Sequence, residues 1–195
     1  MTTLHIKNMV CDRCKIVVTQ ELTRLGLHPQ KVTLGEVQLS ETSLGKEQLD
    51  TIDVALTAVG FARIDDKRAR LIESIKNNII ERIHHVDTID RKFNWSDILA
   101  EELHHDYNSL SSLFSSVEGT TIEQYIIHQK IERAKELLFY DELNLSEIAH
   151  KLGYSSVAHL SAQFKKITGL TPSELKKSRK AEDVRTPIDS VHPKK

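Results

Sequence analysis

The stretch "NLSEIAHKLGYSSVAHLSAQFKKITGLTPSEL", residues 144–175, decides how the second half of this 195-residue chain folds. Asn144 stands before a short apolar-periodic run, and Glu147 follows it at the spacing of a capping box. Leu145, Ile148, Ala149 and Leu152 give that run one apolar face, and Gly153 stands where a sharp turn needs positive φ. Ser155 or Ser156 then caps a second helix running to about Thr168, with Leu160, Phe164 and Ile167 as its inward stripe. Gly169 stops it, and Thr171-Pro172-Ser173-Glu174 opens a third helix with a cap and a proline in its first turn. Two short helices joined by a glycine turn form a helix-turn-helix, whose second helix enters the major groove of DNA.

Charge agrees with this reading. Between residues 151 and 180 the chain carries Lys151, Lys165, Lys166, Lys176, Lys177, Arg179 and Lys180 against the single acid Glu174. The whole chain, by contrast, has a formal net charge of −1. A local positive patch in a nearly neutral chain suits contacts with phosphate.

The same plan recurs upstream in "NWSDILAEELHHDYNSLSSLFSSVEGTTIEQYI", residues 94–126. Asn94 is a cap; Ile98, Leu99 and Leu103 point inward; a polar turn is expected at residues 104–108. The next helix buries Leu110, Leu113 and Phe114 and stops at Gly119. A longer helix over 121–139 follows, about 28 Å long at 1.5 Å per residue. That is enough to hold two recognition helices about one DNA turn, ~34 Å, apart.

With "LSEIAHKLGYSS", "HLSAQFKKITGLTPSEL" and "LFSSVEGTTIEQYIIHQKIERAKELL", residues 71–179 resemble the DNA-binding region of the AraC family of bacterial transcription regulators. The resemblance implies two helix-turn-helix units reading adjacent segments of major groove. By position it implies groove-facing roles for Val157, Ala158, Ser161 and Ala162 in the second unit and for Asn108, Ser111 and Ser112 in the first. It sets Lys165 and Lys166 near phosphate. The first unit departs from what such docking wants: residues 93–118 hold Asp97, Glu101, Glu102, Asp106 and Glu118 and no Lys or Arg. The second unit is therefore expected to anchor binding, with the first contributing weakly.

Residues 1–66 read differently. Strand-like runs at 3–8, 30–35, 36–41 and 61–66 alternate with helical stripes at 12–26 and 44–60. Ile16, Val17, Leu22 and Leu25 are the expected inward residues of the first helix. Leu49, Ile52, Ala55, Leu56 and Val59 are those of the second. The order βαββαβ is that of a ferredoxin-like domain. From 69 to 85, Leu71, Ile72, Ile75, Ile79, Ile80 and Ile83 recur at helical spacing, and no strand signal follows.

The two cysteines of the chain, Cys11 and Cys14, lie in "KNMVCDRCK", residues 7–15, at the start of the first helix. The loop "MVCDRC" resembles the Met-x-Cys-x-x-Cys loop of heavy-metal-associated domains, which share the βαββαβ fold, and "VGF" at 59–61 matches their closing Gly-aromatic pair. Asn8 replaces that family's usual glycine. Two thiolates at this spacing can converge on a soft ion, Cu(I) or Zn(II). A helix N-terminus and Arg13 are expected to lower thiol pKa values. Zinc wants four ligands, and His5 and His28 are the nearest further donors by type. A packed loop without metal and a redox switch stand beside the metal reading. Met9 suits a core plug as well as a sulfur ligand.

No apolar run approaches the ~18 residues needed to span a membrane, no secretory leader is evident, and no Gly-rich phosphate loop or Ser-His-Asp pattern occurs. The expected protein is thus a cytoplasmic, non-enzymatic α+β chain. Residues 1–66 form a ferredoxin-like domain, 67–180 an all-α double helix-turn-helix domain, and 181–195 a disordered tail. Its expected partners are double-stranded DNA and a second copy of itself, with no membrane. An intracellular metal-binding or trafficking protein with a helical interaction module is the alternative, and a thiol oxidoreductase a third.

Overall fold

The structure is a computed structural model that describes residues 1–89, 94–178, 188 and 191. The tail expected at 181–195 lies outside the described residues except at 188 and 191. The chain divides into two compact units, Met1–Asn77 and Asn78–Lys195.

The first unit runs β1 (Thr2–Lys7), α1 (Asp12–Arg24), β2 (Pro29–Thr33), β3 (Glu36–Leu39), α2 (Lys46–Ala58) and β4 (Ala62–Arg63). The strands form one sheet in the order β2-β3-β1-β4, with every neighbouring pair antiparallel. Strand alternation sets the core: Leu4 and Ile6 of β1 and Val37 and Leu39 of β3 are buried on one face. Val18 and Leu22 of α1 and Ile52 and Leu56 of α2 join the same core.

Two expected core positions are exposed. Ile16 is 56% exposed, and the buried residue is Val18. Two positions along a helix is a rotation of about 200°, so one helix face cannot take both. Val59 is 37% exposed because α2 has already ended, with Val59 as its C-cap at φ −109°. The last strand is also shorter than expected. Arg63 binds Asp53 through Nε and Nη2, both at 2.9 Å, and also pairs with Asp65. Asp66 accepts from the backbone N–H groups of Arg68 and Ala69 at 2.8 and 2.9 Å. An Asp in that position opens a helix rather than extending a strand.

That helix is α3 (Lys67–His84). In the first unit Glu73 accepts from the Asn8 N–H at 3.0 Å, and Asn77 donates to the Leu34 carbonyl at 3.2 Å. A Cβ on Gly35 would collide with the Asn77 side-chain amide, so only glycine admits this approach.

The second unit continues with α4 (Trp95–Leu103), α5 (Tyr107–Glu118), α6 (Ile122–Tyr140), α7 (Leu145–Lys151), α8 (Val157–Thr168) and α9 (Pro172–Ser178). All of its described regular elements are helical. The core around α6 takes Ile131, Ala134 and Leu138 from that helix, Ile148 and Leu152 from the α7 end, and Leu160 and Phe164 from α8. Phe164 is fully buried. A phenyl ring so placed contributes about 2–3 kcal/mol relative to exposure. Tyr125 packs edge-on against Phe114, centroids 5.5 Å apart, which ties α6 to α5.

Candidate nucleic-acid interface

The α7–α8 pair is built as its sequence signals require. The Asn144 side chain accepts from the N–H groups of Ser146 and Glu147 at 2.9 and 3.0 Å, while Glu147 accepts from the Asn144 N–H at 2.7 Å. These bonds satisfy donors that a seven-residue helix would otherwise leave open. At the turn, the Gly153 N–H donates to His150 O at 3.0 Å and the Tyr154 N–H to Ala149 O at 2.9 Å. Gly153 has φ +70°, and a Cβ there would lie 3.0 Å from the Ile89 carbonyl oxygen. Ile89 is held over the turn by its N–H on Lys151 O at 2.8 Å. Of the two expected caps for α8, Ser156 is the one used: its hydroxyl accepts from the His159 N–H at 3.1 Å.

Leu160 and Phe164 turn α8 onto the core. Ala158, Ala162, Lys165 and Lys166 are exposed on the other side, with Val157 and Ser161 half-buried beside them. Positions 158, 162, 165 and 166 follow helical spacing and share one face. The face is small at its start and cationic at its end. Alanine there lets a backbone approach closely and offers methyl groups, while the lysines supply charge without a fixed bonding pattern. Thr171 and Glu174 cap α9 reciprocally, with N–H to carboxylate at 2.7 Å and N–H to hydroxyl at 3.2 Å. Lys176, further along α9, pairs with Asp141.

The α4–α5 pair repeats the plan with different turn chemistry. Asn94 caps α4 through Ser96 N at 3.2 Å. His104 ends α4 at φ +53°, the place that Gly153 takes in the later pair. The polar turn expected at 104–108 is shorter than that. Asp106 caps α5 through Ser109 N at 3.0 Å, so Asn108 lies inside the helix, within its first turn. Asn108 and Ser112 are exposed and Ser111 is half-buried.

The acids of this pair are largely engaged in local structure. Asp97 accepts from Asn94 Nδ2 at 2.8 Å, Asp106 is the α5 cap, and Glu102 pairs with Arg82 and Asn78. A count of charges along the sequence makes these acids a repulsive face. Their partners lie too far away in sequence, or too close to be read as a cap, for such a count to reveal them.

In the first unit, Cys11 is the N-cap of α1, and its sulfur lies 3.4 Å from that of Cys14. Both thiols are free and partly buried. Burial pushes the Cys14 thiol pKa up, against the lowering expected from the helix N-terminus and Arg13; the N–H bonds it accepts offset only part of that. His5 pairs with Glu36 at 3.4 Å and His28 with Glu41 at 2.9 Å. Among the described residues, no group of three or more His, Cys, Asp or Glu could hold a metal ion. Two sulfurs alone suit a soft ion of low coordination number, such as Cu(I), and fall short of the four ligands of structural zinc. Met9 is fully buried in the core.

No described helix is long and apolar enough to cross a membrane.

Residues 99–178 match a helix-turn-helix domain family. A protein of Bacillus subtilis described as the uncharacterized HTH-type transcriptional regulator YtdP is 29% identical over 109 residues, which is 56% of this chain and 14% of that protein. The xylose operon regulatory protein of Escherichia coli K12 is 25% identical over 182 residues, 85% of this chain and 46% of that protein. The chain therefore spans less than half the length of these curated relatives. Among solved structures, the C-terminal domain of AraT, a response regulator from Geobacillus stearothermophilus, has a TM-score of 0.51 at 23% identity, covering 58% of this chain and 89% of that one. That likeness shares the helical fold described above. Residues 99–178 of this chain thus match a helix-turn-helix domain and fold into the paired short helices described above.

Proposed function

We propose that this chain is a sequence-specific, DNA-binding transcription regulator of the AraC family, with α8 as its anchoring recognition helix and α5 as a weaker second one. The observation that carries the reading is the exposed face of α8, small at Ala158 and Ala162 and cationic at Lys165 and Lys166. Val157 and Ser161 border that face, and Asn108, Ser111 and Ser112 are the corresponding groups on α5. Of the residues proposed to face the bases, Val157, Ala158, Ser161, Ala162, Asn108, Ser111 and Ser112, Asn108 alone carries a side chain of the kind that pairs bidentately, with adenine. The α8 face favours thymine methyl contacts and backbone complementarity over bidentate base readout.

Selection of bound duplexes from a random library, followed by anisotropy titrations across salt, tests the reading. Lys165→Ala and Lys166→Ala should each weaken binding and flatten the log–log salt slope by about 0.9 for every phosphate that the variant no longer neutralises. An unchanged slope in both variants would remove α8 from the interface. Failure to enrich any sequence at moderate salt would remove the regulator reading itself.

The N-terminal unit is read as a ferredoxin-like input domain; its element order and antiparallel β2-β3-β1-β4 sheet support that. Cys11 and Cys14 are its proposed sensing pair, for a soft metal ion or for thiol state. Their sulfur separation of 3.4 Å favours that use. Metal content of the purified protein, with Cys11→Ser as control, decides it: Cu(I) held stoichiometrically and lost in the variant supports the metal, and no such loss rejects it. Double-stranded DNA and a second copy of the chain are the proposed partners.

A further inference from the structure

A cavity of about 380 Å³ opens within the second unit, lined among others by Trp95, Tyr107, Ile126, Lys130, Tyr154 and His159. Its size lies in the range of small-molecule sites. Lys130 projects from α6 with its ammonium 5.4 Å from the centre of the Tyr154 ring. Among the described residues no carboxylate pairs with it, and burial lowers its pKa to about 8. The Tyr154 hydroxyl is buried and, among the described residues, has no hydrogen-bond partner. Several other polar groups around the cavity are engaged. His159 Nδ1 meets the Ser155 hydroxyl at 3.0 Å, and Glu123 accepts from the Tyr107 hydroxyl. The cavity thus offers an ammonium with no carboxylate paired to it among the described residues, set against aromatic and aliphatic walls. A ring face offsets only a part of the desolvation of an ammonium.

We propose that this cavity binds a small organic monocarboxylate. The carboxylate sits on the Lys130 ammonium, and the apolar body lies against Trp95, Ile126 and the Tyr154 ring. A single cation fits a single negative charge, and the Glu123 carboxylate on the same wall repels a second one, which selects against phosphate. Asn94 and Trp95 come from the start of the first helix pair, while Gly153, His159 and Gln163 come from the turn and recognition helix of the second. An occupant therefore touches both helix-turn-helix units at once.

The site is tested by calorimetry on the full chain without DNA, so its outcome is independent of the regulator reading. The probes are phenylacetate, its uncharged counterpart 2-phenylethanol, and inorganic phosphate. Phenylacetate should bind with one-to-one stoichiometry, and Lys130→Met should weaken it by about tenfold or more, as removal of one charge-assisted hydrogen bond requires. Lys130→Arg keeps the charge and should keep most of the affinity, which separates loss of charge from a failure to fold. Affinity should fall between pH 7 and pH 9 as the amine loses its proton. Absence of binding up to about 10 mM, a range that covers even weak small-ligand sites, equal binding by 2-phenylethanol or phosphate, or unchanged binding in Lys130→Met would each overturn the proposal.

Discussion

At Gly153 the backbone stands at φ +70°, and an added Cβ would meet the Ile89 carbonyl oxygen at 3.0 Å. At Gly169 φ is +80°, yet nothing lies within 4 Å of the same added atom. Substituting alanine at the two sites therefore separates two costs. Gly169→Ala should lower stability by about 1 kcal/mol, the strain of a left-handed residue. Gly153→Ala should lower it by roughly 2 kcal/mol or more, because the Ile89 backbone must also shift. Urea denaturation of both variants gives the difference, and equal losses would show that the Ile89 approach carries no energy. The first helix pair makes the same kind of bend with His104 at φ +53°. His104→Gly should therefore stabilise the protein by up to about 1 kcal/mol, read as a rise in the urea midpoint. A left-handed histidine carries no mark in the sequence. The first turn is for that reason shorter than its polar residues suggest, while the Gly153 turn is legible.

Among the elements, the helices that carry side-chain signals at their starts are the legible ones. Asn144, Ser156, Asn94 and Thr121 cap α7, α8, α4 and α6. Seven residues is too short for a helix to persist by propensity, so α7 depends on its cap and its packing. Asn144→Ala leaves two backbone donors without their acceptor, and should cost about 1 kcal/mol in urea denaturation. A loss below a few tenths would mean that water replaces the cap fully. Legibility is poorer where an element end depends on distant partners. The strand β4 stops after two residues because Arg63 is drawn to Asp53 of α2 and Asp66 turns to capping, and neither event has a local pattern. Helical phase on α1 is ambiguous in the sequence because Ile16, Val17 and Val18 are consecutive apolar residues. The sheet's own core selects Val18.

For the whole molecule, the second unit contains a polar network that the sequence does not announce. His84 Nε2 lies 2.9 Å from Gln129 Oε1, and Gln129 Nε2 donates to the Tyr125 hydroxyl at 3.0 Å and to Ile188 O at 3.2 Å. Gln129 thus presents its oxygen to His84, which must donate from Nε2, and among the described residues the buried Nδ1 atom has no partner. Burial depresses the His84 pKa from 6.5 to about 4, and nearby Arg133 and His85 add to that, against the Gln129 bond and Glu136. The unfolded chain therefore takes up this proton first, and stability falls as pH drops below 6.5. Between pH 6.5 and pH 5 the loss should be about 1.5 kcal/mol from this group, and stability should change little on its account above pH 7. Urea midpoints at pH 7.5, 6 and 5 check it, with His84→Gln expected to flatten the dependence. The hydrophobic stripe of α3 gives no hint that the histidine beside it, His84, faces Gln129.

The reach of Ile89 over the Gly153 turn also bears on where this protein can be trimmed. The match to the helix-turn-helix domain family starts at residue 99. Packing starts earlier: Ile89 is only 4% exposed, and His84 supplies one side of the Gln129 network. A fragment cut where that match begins would uncover the bend between α7 and α8 and leave Gln129 without its histidine. A fragment beginning at Asn78 would retain both.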